Sequence, residues 1–481
     1  MKTYTDSAGE GFTSTMYLFL AGDEPPSKEA VENTLKEWGW EMGPHEVQAR
    51  MEGVEWAEAL GNDEVIFLVS LEKADELTLK LIHLDEARVE EERTRENARN
   101  AKWLLRVETQ WDAHYPMDSF RQQVQFCAAI SVSRKVPVYD FNSTHLYSCE
   151  EVYDLAFGKV PPKTTSLFVV HDLYPPEGPD HDGHWMHTHG LNRAGLPEFE
   201  LLNVPARHVE PAGELLVAVA DLLLGGGQPP LRKTVQVGGS LKVSLIEWEK
   251  FVFQLPLETV GGMHSRTRES GAEDVFHTGY RVAVVSQKPK GFFKKKWSLP
   301  VTVLAAIAKA EEGTIWKSIA EIERSKILAN DRWHIFRKLY ERKRDDWKFL
   351  LKLGCPIDAS ASRHEYLWFN VLELEQDRVR ATLRTQPFGA KKFKPGEEAW
   401  HPLDKIADWK VLTPDRDVQP EDATQFFKGL EGKEKSSATL KPVQAELSLE
   451  KKPEAKGEHE SQPTPPASNE PPKQEAPPQG F

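Results

Sequence analysis

Residues 185–201 read W-M-H-T-H-G-L-N-R-A-G-L-P-E-F-E-L, and this stretch predicts two short strands joined by a turn. Residues 185–189 and 196–204 have the length and composition of strands, and residues 190–195 connect them. Gly190 and Gly195 permit the positive φ angles that a tight connection requires. If the two strands pair as a hairpin, their register decides whether histidines face glutamates or apolar side chains.

The same stretch concentrates polar side chains suited to a binding site. Five histidines lie between residues 171 and 189, at positions His171, His181, His184, His187 and His189. Alternate side chains of a strand share a face, which predicts one shared face on each strand of the hairpin. The candidate site residues are Trp185, His187, His189, Arg193, Glu198 and Glu200. We expect Arg193 to bind an anion or to pair with Glu198 or Glu200. His181 and His184 fall in a predicted loop, where we expect them to be solvated.

A divalent-metal site is the more specific hypothesis for this stretch. His187 and His189 would supply imidazole nitrogens and Glu198 a carboxylate, a ligand set that zinc or iron accepts. The alternative is a structural network in which neutral histidines hydrogen-bond to glutamates beneath Trp185. Because His-x-His is a short motif that recurs by chance, the network is favoured. We therefore predict no cofactor, with zinc or iron as the alternative.

Charge is distributed unevenly along the 481 residues. Residues 1–280 carry 25 basic and 45 acidic side chains, whereas residues 281–410 carry 27 basic and 17 acidic ones. Either the two parts pack together or the basic part contacts nucleic acid or an acidic partner. We favour packing of the two parts on each other, because the acidic body would repel phosphate backbones. Among partners, a protein is therefore expected before nucleic acid.

Composition predicts a cytoplasmic protein without membrane contact. The three cysteines are widely spaced, which argues against a disulfide framework and fits a reducing compartment. No signal peptide is evident at the start, and no apolar stretch is long enough to span a bilayer. The sequence does not predict an oligomeric state.

Helices and strands alternate without the regularity of a doubly wound sheet, so we predict an α+β protein with helices on one side of mixed sheets. The expected parts are a small β-α-β-α module at 12–84 and a central domain at 103–285. A helical segment followed by a small β-barrel-like domain is expected at 301–414. The charged segment 85–102 marks the first boundary. Residues 431–481, rich in proline, glutamate and lysine, are expected to form a disordered tail.

Two segments resemble bacterial families of unknown function. Residues from about 103 to 224 resemble domain-of-unknown-function family 4026, through V-Y-D-F-N-S-T-H at 138–145, L-A-F-G-K-V-P-P at 155–162, W-M-H-T-H-G-L-N-R-A-G-L-P-E-F-E-L-L at 185–202 and H-V-E-P-A-G-E-L-L at 208–216. Residues from about 347 to 412 resemble family 2314, through H-E-Y-L-W-F-N-V-L-E-L at 364–374, A-T-L-R-T-Q-P at 381–387 and L-D-K-I-A-D-W at 403–409. Neither family carries an established activity, so the resemblance implies architecture and no reaction.

The sequence therefore favours a binding or protein-interaction module, because it contains neither a phosphate-binding loop nor a nucleophile elbow. The first alternative is a metal-dependent hydrolase that uses His187, His189 and Glu198. The second alternative is nucleic-acid binding through the basic residues 281–410.

Overall fold

The structure is a computed structural model. It describes residues 13–41, 53–61, 65–173, 183–224, 231–257, 259–263, 280–286, 297–309, 315, 317–357 and 364–431. Within these ranges it combines helices with three sheets, which confirms the predicted α+β class. Among the helices described, none has both the length and the apolar character needed to cross a membrane.

The first sheet is antiparallel and six-stranded, in the order β2-β3-β4-β1-β5-β6. Its strands are β1 (Thr13–Leu20), β2 (Val54–Gly61), β3 (Ile66–Lys73), β4 (Trp103–Gln110), β5 (Val138–Asp140) and β6 (His145–Tyr147). The predicted β-α-β-α order of residues 12–84 did not include β2, which lies between α1 and β3 in the chain. β1 pairs with β4 along its whole length and also with β5, so it occupies the interior of the sheet.

Five helices surround this sheet: α1 (Lys28–Glu37), α2 (Glu76–Leu81), α3 (Glu92–Arg99), α4 (Pro116–Arg134) and α5 (Cys149–Phe157). Helix α1 begins where the Ser27 side chain accepts a hydrogen bond from the Ala30 amide. Helix α5 begins with a capping box between Ser148 and Glu151. The apolar residues of α1 and α4 pack on one face of the sheet, and Ala98 of α3 packs with the opposite face.

The second sheet contains the hairpin predicted from residues 185–201. Its strands are β7 (Val169–Leu173), β8 (Gly183–His189), β9 (Glu198–Pro205), β10 (Thr234–Gln236), β11 (Lys242–Glu247) and β12 (Arg281–Ser286). The order is β10-β11-β12-β9-β8-β7, and β12 runs parallel to β9 while the other pairs are antiparallel. Helices α6 (Val209–Leu224) and α8 (Val301–Lys309) join the core on one face, and α7 (Trp248–Val252) packs on the other.

The predicted boundary at 85–102 lies inside the first sheet, because β1 and β3 precede it while β4, their neighbour, follows it. The largest hydrophobic core also contains residues of both the first and the second sheets, including Leu18, Phe199 and Leu304. The described residues up to Ala423 form one compact unit, and those from Thr424 onward fall in a second one. The finer division into separate domains stays a prediction.

The third sheet follows helices α9 (Ile319–Asp331) and α10 (Trp333–Lys343). Its strands are β13 (Lys348–Pro356), β14 (His364–Leu374), β15 (Arg378–Leu383), β16 (Glu398–Pro402), β17 (Ile406–Leu412) and β18 (Asp417–Val418), in the antiparallel order β16-β15-β14-β13-β17-β18. Trp409 anchors both helices, since its indole donates to the Ala329 carbonyl at 3.0 Å and its ring lies 5.2 Å from Phe336. The predicted barrel-like domain corresponds to this sheet, which is open among the strands that the structure describes.

The predicted disordered tail at 431–481 lies outside the described residues except for its first position.

Candidate metal centre

The β8–β9 hairpin forms around a turn whose conformation the sequence predicts correctly. Gly190 has φ 105° and Gly195 has φ 73°, as expected for residues without a β-carbon in a tight connection. The Glu198 carboxylate stabilises this turn by accepting hydrogen bonds from the Gly190 amide at 2.8 Å and the Asn192 amide at 3.2 Å. The register of the two strands, which the sequence left open, places His187 opposite Glu200.

Strand β7 adds a third histidine to this face of the sheet. His171 pairs with His187 across β7 and β8, so the two imidazoles project from neighbouring strands on the same side. His189 lies two residues beyond His187 and shares that side. The three potential ligand atoms of His171, His187 and His189 all lie within 4.8 Å of one another.

We call His171, His187 and His189 the histidine triplet. Their imidazole rings are packed closely. The Nε2 atoms of His187 and His189 are 2.9 Å apart. The ring centroid of His171 lies 4.2 Å from that of His189 and 5.9 Å from that of His187. His187 and His189 are buried, whereas His171 is half-buried.

The donor set of the triplet fits a transition metal. Zinc bonds imidazole nitrogen at about 2.0–2.1 Å in tetrahedral geometry, so two nitrogens on one zinc ion lie roughly 3.3–3.4 Å apart. The Nε2 atoms of His187 and His189 are closer, at 2.9 Å, a separation that corresponds to an angle of about 90° at a metal with bonds of this length. In the absence of a metal, one of these two nitrogens would have to carry the proton that the other accepts.

Glu198, predicted as the carboxylate ligand, does not belong to this group of potential ligands. Its carboxylate accepts from the Thr188 hydroxyl at 2.7 Å as well as from the two turn amides. Burial raises the pKa of Glu198, while the Thr188 hydrogen bond and the charge of Arg281 oppose the rise. The ligand set that we carry forward is therefore three histidines, with Glu198 holding the turn.

Trp185 and Glu200 lie beside the triplet, as predicted. The Trp185 indole nitrogen donates to the Glu200 carboxylate at 3.2 Å, and both side chains are buried. The centroid of the Trp185 ring lies 4.7 Å from that of His187. Glu200 does not belong to the group of potential ligand residues, which holds the three histidines.

Arg193 is placed elsewhere, contrary to the expected anion site or pairing with Glu198 or Glu200. Its guanidinium donates to both carboxylate oxygens of Asp140, each at 2.7 Å, and the two side chains are fully buried. It also donates to the Ser14 hydroxyl and the Leu167 carbonyl. Arg193 therefore ties the hairpin turn to the first sheet and is not part of the histidine centre.

Of the remaining histidines of the cluster, the structure describes His184. His184 lies on β8 rather than in the predicted loop, and its Nδ1 is 2.9 Å from a carboxylate oxygen of Asp172. His181 lies outside the described residues.

Sequence analysis also missed Arg281, which begins β12 and is 1% exposed. It is paired in register with Glu198, and its guanidinium carbon lies 5.9 Å from the Trp185 ring centroid. The sequence signal that could have identified Arg281 was a basic residue at the start of an apolar strand. A charge buried there has to be compensated by another charged group.

Comparison with known families identifies one match. The family described as protein of unknown function (DUF4026), C-terminal, matches residues 170–278, a range that contains the whole histidine triplet. This confirms in part the predicted resemblance to family 4026, while the predicted resemblance to family 2314 stays a prediction. No curated protein and no solved structure matches the chain.

Proposed function

We propose that this protein binds a divalent transition-metal ion through His171, His187 and His189. The observation that carries the proposal is the convergence of three imidazoles, with their potential ligand atoms within 4.8 Å of one another. Two of these residues are 2% exposed or less, so the ligands are held by a packed sheet rather than by mobile surface side chains.

The charges around the triplet support a cation there. Glu198 and Glu200 are buried on β9, and the buried cation Arg281 lies across from Glu198 on β12. When both carboxylates are ionised, these three residues leave one excess negative charge in a poorly solvated region. Buried charges in proteins are usually paired or coordinated to a metal, and a divalent ion would compensate this excess.

Imidazole nitrogens suit zinc, iron, copper and nickel, so the donor set alone selects a class of metal and not one element. Zinc or iron is proposed, in agreement with the alternative that the sequence raised. The protein-interaction role, the protein partner and the cytoplasmic location expected from the sequence stay predictions. Metal binding is a more specific form of the binding role.

The test is the metal content of the purified full-length chain, measured by mass spectrometry after dialysis against metal-free buffer. We expect about one equivalent of metal in the wild type and its loss in His187→Ala/His189→Ala and in His171→Ala. His184→Ala is the matched control, because His184 lies on the same strand but outside the triplet, and it should keep the metal. Metal-free wild type that also fails to take up added zinc, iron or cobalt would refute the proposal.

A metal-dependent hydrolase is the second candidate, and the number of ligands favours it. Structural zinc sites are closed by four protein ligands, whereas catalytic sites use three and leave a position for water or substrate. The triplet supplies three. The catalytic set predicted from the sequence thus becomes His171, His187 and His189, with Glu198 excluded from coordination by its bonds to the turn.

This candidate is tested with chromogenic esters and phosphoesters. Turnover should require added metal, disappear in His171→Ala and persist in His184→Ala. Stoichiometric metal without turnover on either class would remove the hydrolase candidate and leave the metal proposal intact.

A further inference from the structure

We propose that the loop of residues 384–396, which connects β15 to β16, binds the surface of an anionic lipid bilayer and inserts Phe388 into it. The loop belongs to the third sheet, so the proposal does not depend on the metal centre. Sequence analysis expected no membrane contact, but that expectation considered segments that span a bilayer. A loop that enters only the interfacial region needs no such segment.

Phe388 is the most exposed of the large apolar side chains that the structure describes, with 94% of its surface accessible to water. A phenyl ring in this position adds nothing to the core of the third sheet. Its transfer from water into an apolar phase is favourable, in proportion to the apolar area that leaves the water. The 384–396 loop therefore presents a side chain suited to insertion into an apolar phase outside the chain.

The backbone around Phe388 is held in place by Glu365 of β14. The Glu365 carboxylate accepts hydrogen bonds from the amides of residues 388–390 at 2.7–2.8 Å. At the base of the loop, the Gly396 amide donates to the Leu383 carbonyl at 2.8 Å. Ala390 is buried, so the chain returns to the core two residues after Phe388. Because these contacts fix the backbone before binding, insertion of Phe388 costs little ordering entropy.

The charge of the loop indicates an anionic partner. Residues 384–396 contain no acidic side chain and four basic ones, all exposed: Arg384, Lys391, Lys392 and Lys394. The ion pairs described in and beside the strands of the third sheet use other cations, namely Arg378, Arg380, Lys405, Lys410 and Arg416. The loop is thus locally positive in a chain whose net charge is −14. Lysine and arginine side chains close to an anionic lipid surface each strengthen binding to it.

The exposure of the Phe388 ring favours a bilayer over a nucleic acid. Aromatic side chains that stack on bases commonly lie on a sheet that supports them from behind. Phe393 comes nearer to this description, because it is half-buried and the Lys392 ammonium lies 5.2 Å from its ring centroid. Phe388 is instead almost fully exposed, and three lysines follow it within six residues. This arrangement suits a phenyl group among acyl chains with ammonium groups at the lipid phosphates.

The test is co-sedimentation of the full-length chain with lipid vesicles at physiological ionic strength. One set of vesicles contains phosphatidylcholine mixed with phosphatidylserine, and the other contains phosphatidylcholine alone. We expect binding to the first set, weaker binding to the second, and loss of the difference at high salt. Phe388→Ser and Lys391→Gln/Lys392→Gln should each weaken binding to the anionic vesicles about ten-fold or more.

Two control variants match these changes elsewhere on the surface. Phe253→Ser removes a phenyl group that is 75% exposed but lies outside the loop. Lys36→Gln/Lys80→Gln alters the net charge by the same amount as the double variant in the loop, at exposed lysines that pair with Glu32 and Glu76. Both controls should bind the anionic vesicles as the wild type does.

The outcomes decide between a bilayer and other partners. Wild-type protein that stays in solution with the anionic vesicles overturns the proposal, and so does equal weakening in the loop variants and the controls. Phe388→Leu should keep vesicle binding, because insertion needs an apolar side chain and not an aromatic face. Binding of an oligothymidylate that Phe388→Leu abolishes, together with no vesicle binding, would assign the loop to single-stranded nucleic acid instead.

Discussion

The guanidinium of Arg193 and the carboxylate of Asp140 face each other through two hydrogen bonds of 2.7 Å, with both side chains fully buried. Arg193 belongs to the turn between β8 and β9, and Asp140 ends β5 in the first sheet. The guanidinium of Arg193 also lies 4.2 Å from the Trp111 ring centroid. This contact fixes the histidine hairpin against the N-terminal sheet.

Removing one partner of this pair should destabilise the protein strongly. Arg193→Met leaves the Asp140 carboxylate buried without its counter-charge, and breaking such a pair costs about 3–5 kcal/mol. We expect a clear fall in the urea concentration at half-unfolding. The double variant Arg193→Met/Asp140→Leu should lose less stability than the sum of the two single variants, because no unpaired charge remains.

Arg378→Met serves as the control, since Arg378 pairs with Glu375 at the surface. Its unfolding midpoint should match the wild type. A midpoint for Arg193→Met that also matches the wild type would contradict the structural role of the Arg193–Asp140 pair.

The sequence predicted the local features of this region but not its long-range partners. The hairpin strands and the positive φ of Gly190 and Gly195 depend on neighbouring residues, and the structure agrees with them. The Asp140 partner of Arg193 is 53 residues away, and one sequence contains no signal for that distance.

The third proposed ligand was not predicted from the sequence for a similar reason. His171 was noticed among the five histidines, but its place beside His187 depends on the order and register of β7 and β8. The place of the charged segment 85–102 between strands of the first sheet likewise follows from the pairing of β1 with β4, which joins residues about ninety positions apart in the chain. Periodicity predicts strands, whereas it does not predict which strands become neighbours.

Glu365 should hold the loop after β15 in place. Its carboxylate accepts hydrogen bonds from the amides of Phe388, Gly389 and Ala390 at 2.7–2.8 Å. Glu365→Ala leaves three amides without this acceptor, so we expect about ten-fold or faster hydrogen exchange at residues 388–390. The exchange rates are read by mass spectrometry of that segment.

Glu375→Ala provides the comparison, because Glu375 pairs at the surface with Arg378 and makes no bond to this loop. Its exchange at 388–390 should stay at the wild-type rate. Unchanged exchange in Glu365→Ala as well would show that other contacts hold the loop.

Stability should depend on pH through Asp408 of the third sheet. Burial raises the pKa of Asp408 from 3.8 to about 6, and the charges of Lys352 and Lys317 oppose the rise. The folded state thus holds this proton more tightly than the unfolded chain. Its contribution to stability is present below the unfolded pKa of 3.8 and is lost as the pH rises through about 6.

Between the unfolded and the folded pKa of Asp408, the free energy of unfolding falls by on the order of 3 kcal/mol. Asp408→Asn removes the titration and keeps an oxygen that accepts from the Trp409 amide. We expect the variant to be more stable than the wild type at pH 7, with the difference shrinking toward pH 4. Urea unfolding at several pH values measures this, and a constant difference would argue against titration of Asp408.

Gly261 should affect the histidine centre without touching a ligand. It has φ +77°, and a β-carbon there would lie 2.6 Å from Cγ of Trp185 and 2.7 Å from Cδ2 of Leu202. Gly261→Ala therefore forces Trp185 to shift, and with it the indole that contacts His187 and donates to Glu200. Loss of such support to metal ligands typically weakens metal binding about 10–100-fold.

Competition with a chromophoric chelator measures the zinc affinity of the variant. Gly239→Ala is the matched control, because a β-carbon at Gly239 would meet no atom within 4 Å. We expect weaker zinc binding in Gly261→Ala and wild-type affinity in Gly239→Ala. If Gly261→Ala lowers only the melting temperature while its zinc affinity equals that of the control, Trp185 packs the core without positioning His187, and the ligands are then held by β7 and β8 alone.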